Sequence, residues 1–92
     1  MAVEIVWYAP ARARLQEIRA YVALHKPEAA ERLATRIVAV VETLRSHPHL
    51  GRAGAEPALR ELIIGGTPYV ILYRLRGQRI TIATIWHTAQ RK

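Results

Sequence analysis

Residues 59–87 read LRELIIGGTPYVILYRLRGQRITIATIWH, and this stretch decides the fold. Leu59 to Ile64, Tyr69 to Arg76 and Arg79 to His87 are rich in Ile, Val, Thr and Tyr, side chains that fit a pleated surface. Gly65-Gly66-Thr67 and Gly77-Gln78 separate them, which predicts two consecutive hairpins. Upstream, Val3 to Tyr8 is β-branched and aromatic and closes at Ala9-Pro10, so it reads as a first strand feeding a helix. Leu15, Ile18 and Val22 recur at helical spacing between Ala11 and about His25. Lys26-Pro27 ends that helix. Pro27-Glu28 opens a second one whose apolar series Ala30, Leu33, Ile37, Val40, Val41 and Leu44 runs on toward His47-Pro48. Residues 49–57 carry two Gly and one Pro without periodicity and read as the loop from helices to sheet, while Thr88 to Lys92 are expected to fray. The expected architecture is α+β: β-α-α-β-β-β, an antiparallel-rich sheet with an N-terminal helical hairpin on one face, forming one domain over residues 1–92.

Composition agrees with one folded unit. Of 92 residues, 51% are hydrophobic and 23% charged, which is enough apolar matter for a core and too little polarity for a disordered tail. The absence of cysteine excludes disulfides, a thiolate zinc site and a cysteine nucleophile, and there is no Asp for paired-carboxylate chemistry. The apolar runs Ile37 to Val41 and Tyr69 to Tyr73 fall far short of the roughly 18 residues of a membrane span, so a soluble cytoplasmic protein is expected. Fourteen Lys and Arg oppose seven Glu, giving a formal charge of +7 concentrated in the C-terminal half. Such a field calls for an acidic partner, and Arg supplies nearly all of it with a flat fork that pairs bidentately with carboxylate or phosphate.

Strand register carries the placement of side chains. A two-residue turn at Gly77-Gln78 sets Leu72 opposite Ala83, and a loop at 65–67 sets Arg60 opposite Leu72. Faces alternate along a strand, so Arg60, Arg74 and His87 are expected on one side of the sheet. Tyr69, Ile71, Tyr73, Ile80, Ile82 and Trp86 are expected on the other, under the helices. His87 lies six residues beyond Thr81, the partner of Arg74, so about 20 Å separates Arg74 from His87, too far for one acid–base site.

The layout and several motifs together resemble the RelE/ParE superfamily of bacterial toxins from type II toxin–antitoxin modules. The carriers are Pro27-Glu28-Ala29-Ala30 at the start of the second helix, His47-Pro48-His49-Leu50-Gly51-Arg52 in the loop and Arg60-Glu61-Leu62 on the second strand. Tyr69-Val70-Ile71-Leu72-Tyr73-Arg74 and Ile85-Trp86-His87 complete the set. The resemblance implies one of two activities: RelE-like members cleave mRNA in the ribosome, and ParE-like members act on DNA gyrase. RelE-like nucleases carry an arginine near the start of the third strand, where this chain has Val70, and RelE itself has lysines where Glu61 and Ile63 stand here. A buried-type aliphatic and a carboxylate do not stabilise charge developing on phosphate. The ParE-like branch is therefore favoured: a gyrase-binding toxin without bond-making chemistry of its own, neutralised by a small acidic antitoxin.

Arg52, Arg60, Arg74, Trp86 and His87 are the candidate target- or antitoxin-binding residues on this reading. The alternative is a ribosome-dependent mRNA endonuclease using Arg60, Arg74 and His87 as its catalytic set, and a further one is an inactive binding module on the toxin fold. His47 and His49 have no acidic or Cys neighbour in sequence, so no metal site is expected, nor is any cofactor. Arg76 and Arg79 flank a hairpin turn and read as solvated charges.

Overall fold

A computed structural model of the protein describes residues 3–56 and 58–90. Strand β1 (Glu4–Trp7) leads into helices α1 (Ala9–Ala23) and α2 (Pro27–Glu42), followed by a 3₁₀ turn at Thr43–Arg45. Strands β2 (Arg52–Ala53), β3 (Leu59–Ile63), β4 (Tyr69–Arg76) and β5 (Arg79–His87) complete a five-stranded sheet in the order β1-β5-β4-β3-β2. Only the β1–β5 pairing is parallel among these ladders. The expected α+β architecture is thus present. The first helix begins two residues earlier than expected, the loop over 49–57 contains the short strand β2, and Thr88–Gln90 form a 3₁₀ turn instead of a frayed end. Arg91, Lys92 and Pro57 lie outside the described residues. No helix among the described residues is long and apolar enough to cross a membrane.

Both helices take Pro in their first turn, where a missing N–H costs nothing, and Glu28 places a carboxylate at the positive end of α2. Ala11, Leu15 and Ile18 of α1 and Ile37 and Val41 of α2 are buried against Ile71, Tyr73, Ile80, Ile82 and Ile85 of the sheet. Leu44, in the 3₁₀ turn, and Ile64, just beyond β3, are also fully buried. Among the described residues, α1 and α2 both pack on this one face of the sheet.

Two register features differ from expectation, and each follows the apolar side chains. The β3–β4 connection is one residue longer than expected: Ile64 N–H donates to Tyr69 O at 3.0 Å, and Arg60 pairs with Tyr73. A slip of one residue exchanges the faces of a strand, and this one brings Leu62 to the core side beside Ile64. The second feature lies between β4 and β5. From the turn, where Gly77 takes φ 58°, the pairs run as expected to Tyr73↔Ile82. A bulge then leaves Ala83 extra, so Leu72 pairs with Thr84 and Tyr69 with His87. Ile82 and Ile85 are three apart and both fully buried, which strict alternation cannot satisfy. The extra residue reconciles them. In consequence Trp86 leaves the core face to which the sequence assigned it, and Arg60 and His87 leave the open face they were expected to share with Arg74.

Candidate functional site

The described residues do not assemble the three arginine and histidine candidates into one cluster. Arg74, opposite Leu59 and Thr81, is on the open face; Arg60 and His87 are on the helix side, at registers four residues apart along β4. At about 3.3 Å per residue and two strand spacings of about 4.8 Å, Arg60 and His87 stand about 16 Å apart. The bulge shortens the expected separation of Arg74 from His87 to about 17 Å, five registers along β4 and one strand spacing, and the sheet now also lies between them.

Arg60 braces a loop. Its Nη1 donates to Gly51 O at 2.7 Å and reaches His49 O at 3.4 Å. Tyr73, fully buried on the neighbouring strand, works on the same loop: its hydroxyl donates to Pro48 O at 2.8 Å and accepts from Gly51 N–H at 2.9 Å. Burial pushes the Tyr73 hydroxyl pKa up, against smaller opposing effects of the Gly51 hydrogen bond and the Arg60 charge. Gly51 is required by close approach, since a Cβ there would lie 2.7 Å from Tyr73 Cε1 and 2.9 Å from Glu61 O. Sequence reasoning treated Tyr73 as core alone; the pairing of a buried Tyr with a Gly-containing loop was the available signal.

Arg52 and Arg74 are held more loosely. Arg52, opposite Glu61 across β2–β3, bonds its carboxylate at 3.1 Å from an exposed position. Arg74 Nη1 lies 3.7 Å from Glu56 Oε1, a long contact between side chains 34% and 62% exposed, so the Arg74 guanidinium stays open to a competing carboxylate. Trp86 is half-buried on the open face opposite Val70, and Val70 itself is only 1% exposed. The position where an arginine would face phosphate is therefore both aliphatic and inaccessible. Ile63 and Glu61, at the two lysine positions of the comparison, are an exposed aliphatic and a carboxylate held by Arg52.

His87 lines a cleft of about 560 Å³ with Arg14, Glu17, Ile18, Tyr21, Tyr69 and Ala89. Its ring meets Tyr69 edge-on at 5.3 Å, and its Nδ1 accepts the Ala89 N–H at 3.1 Å, which leaves the proton of the neutral ring on Nε2. Arg14, on α1, donates through Nε to Ile85 O at 3.1 Å beside this cleft. The sequence offered no signal for Arg14, because a helix-surface arginine meets β5 only once the fold is formed. No group of three metal-ligating side chains occurs among the described residues. The arrangement presents separated cations and an aromatic-walled cleft, which suit contacts with a protein better than proton transfer at a single reacting group.

Comparison with known proteins agrees with the fold and narrows the family. Residues 5–92 match the model of the ParE toxin of type II toxin–antitoxin system, parDE. The putative toxin Y4kP of Sinorhizobium fredii is 38% identical over 86 residues, covering 94% of this chain and 88% of that protein. Toxin RelE2 of Caulobacter vibrioides is 37% identical over 87 residues, covering 95% and 97%. Among solved structures, the chromosomal ParDE TA system from P. aeruginosa superimposes with a TM-score of 0.83 at 26% identity, over 92% of this chain and 95% of that one. The family model and the solved structure carry the ParE name and the Caulobacter relative the RelE name, the two branches of the superfamily that the residues resemble. With nearly the whole chain matched, this protein belongs to the ParE toxin family of type II toxin–antitoxin systems, within the RelE/ParE superfamily.

Proposed function

We propose that this toxin acts in the cytoplasm by binding and inhibiting DNA gyrase, and that a small acidic antitoxin neutralises it. The observation that carries this reading is Val70, at 1% exposure, where a nuclease of the superfamily would present an arginine. Its support comes also from the scatter of Arg60, Arg74 and His87 over two faces of the sheet, with Arg60 committed to loop carbonyls. Catalysis by proton transfer needs its groups within hydrogen-bond reach of one substrate atom, whereas inhibition by binding needs only an interface. The net charge of +7 supports an acidic partner and a fast, electrostatically steered encounter.

The test is a pair of assays on one preparation of purified protein: supercoiling by reconstituted gyrase, and mapping of mRNA cuts in a translation reaction. Inhibited supercoiling with intact mRNA is the expected result. Cuts in mRNA with untouched gyrase would assign the protein to the ribosome-dependent nucleases, and neither effect would make it a binding module that has lost toxicity.

A further inference from the structure

We propose that Arg74, Arg76 and Arg79, gathered on the open face of the sheet at the β4–β5 turn, hold the phosphate backbone of duplex DNA. The proposal rests on the gyrase reading for its setting, since gyrase works on duplex DNA, while the contact itself is tested without gyrase.

The register of the last hairpin brings the three side chains together. Arg76 pairs directly with Arg79 across the Gly77-Gln78 turn, and Arg74, two residues back and opposite Thr81, shares their face. Opposed Cα atoms lie about 5 Å apart and alternate residues of a strand about 7 Å, so the three stems leave the sheet within about 8 Å of one another. Like charges set directly opposite are unfavourable, and the neighbouring carboxylates do not balance them. Arg79 Nε meets Glu4 Oε1 at 3.1 Å with the two side chains 65% and 59% exposed, and Arg74 has the 3.7 Å contact with Glu56. Arg76 is exposed and makes no ion pair among the described residues. Exposed pairs of this kind exchange readily for another anion, and an anion bridging Arg76 and Arg79 relieves their repulsion.

The surroundings favour duplex phosphates over other anions. A carboxylate-bearing peptide needs a groove for its side chains, and the clefts beside His87 and along α2 are lined without any of the three arginines. An unpaired strand needs aromatic faces on which its bases stack. Trp86, the ring on this side of the sheet, pairs with Val70, four residues along β4 from Arg74, whereas Leu59, Thr81 and Val6 stand beside the arginines. A duplex presents its phosphates outward, one per about 3.4 Å of axis on each strand, so three arginine forks spread over about 8 Å reach about two or three of them with no demand on sequence.

The probe is a fluorescein-labelled DNA duplex of about 20 base pairs, titrated with the full chain and followed by anisotropy from about 50 to about 200 mM salt. The expected result is binding in the micromolar range, with log K falling against log salt at a slope of about −3, close to −0.9 for each of about three phosphates. Arg76→Gln should weaken binding at least about three-fold and take about one unit off the slope. Arg32→Gln, an equal loss of charge at an exposed site on α2, should leave both nearly unchanged. Glu4→Gln, which releases Arg79, should tighten binding more than Glu31→Gln does. Equal effects of Arg76→Gln and Arg32→Gln would reduce the binding to net charge and overturn the proposal, as would no binding of the duplex at the lowest salt. Tighter binding of a single strand of the same length, or stronger competition from a capped oligoglutamate of matched charge than from unlabelled duplex, would overturn it too, giving the arginines to unpaired nucleic acid or to an acidic protein segment. These competitions use the wild-type chain and stand whether or not a variant folds. A chain that inhibits gyrase but fails the duplex test loses this inference alone, and one that binds the duplex but leaves supercoiling untouched loses the gyrase reading alone.

Discussion

Tyr73 links the core to the surface through one hydroxyl, donated to Pro48 O and accepting from Gly51 N–H, with no solvent exposure of its own. Tyr73→Phe leaves both backbone groups short of a partner and should cost about 1–3 kcal/mol in denaturant unfolding. The same variant tests the pH behaviour. Burial holds the Tyr73 pKa above its ordinary value near 10, so on raising pH the unfolded chain loses this proton first. The stabilisation is complete below pH about 10 and is lost as pH rises through the folded-state value. Wild type should therefore lose more stability than Tyr73→Phe between pH 8 and 11. A parallel decline would contradict the assignment. Gly51→Ala forces a Cβ against a buried ring edge and the Glu61 carbonyl, and should lower stability by about 1–3 kcal/mol, read as a drop in Tm. Of the candidate residues, the sequence offered Arg60 as a binding or catalytic cation, and the structure commits its guanidinium to the loop. That outcome depends on which face Arg60 occupies, and one residue of loop length decides it.

At the level of elements, the strands β4 and β5 and the Gly77-Gln78 turn were legible to the residue, because β-branched runs and a glycine at positive φ are local signals. The faces of β3 and of the end of β5 were not. Both depend on a single inserted residue, and an inserted residue leaves only an indirect trace: Ile82 and Ile85, three apart in an otherwise alternating strand, and Leu62 and Ile64 following Arg60. Counting those apolar residues toward the core, before assuming the tightest turn, would have found both shifts. Deleting Ala83 should test this. Without the extra residue, Thr84, Ile85 and Trp86 follow Ile82 in strict alternation and keep the faces they already hold, Ile85 in the core and Trp86 outside it, so the variant should keep cooperative unfolding by circular dichroism and lose no more than about 1–3 kcal/mol. Loss of cooperative folding on deletion would show that Ala83 is not a simple insertion in the β4–β5 register.

For the whole molecule, the sequence carried the family because the motifs recur in order along nearly the entire chain, and the comparisons bear that out. It did not carry the target, since function rests on a site and the superfamily uses one fold for two targets. The structure contributes an inaccessible Val70, arginines engaged with backbone and carboxylates, and an uncovered sheet face, all of which favour an interface over a reacting centre. Val70→Arg makes the point separable: the variant forces a charge into a buried position and should lose several kcal/mol of stability, without gaining mRNA cleavage in a translation reaction. The most direct test of the central claim is a titration of purified toxin into reconstituted gyrase, reading supercoiling of relaxed plasmid. Dose-dependent, saturable inhibition that is relieved by the acidic partner is the predicted result; unchanged supercoiling at toxin in large excess over gyrase would contradict it.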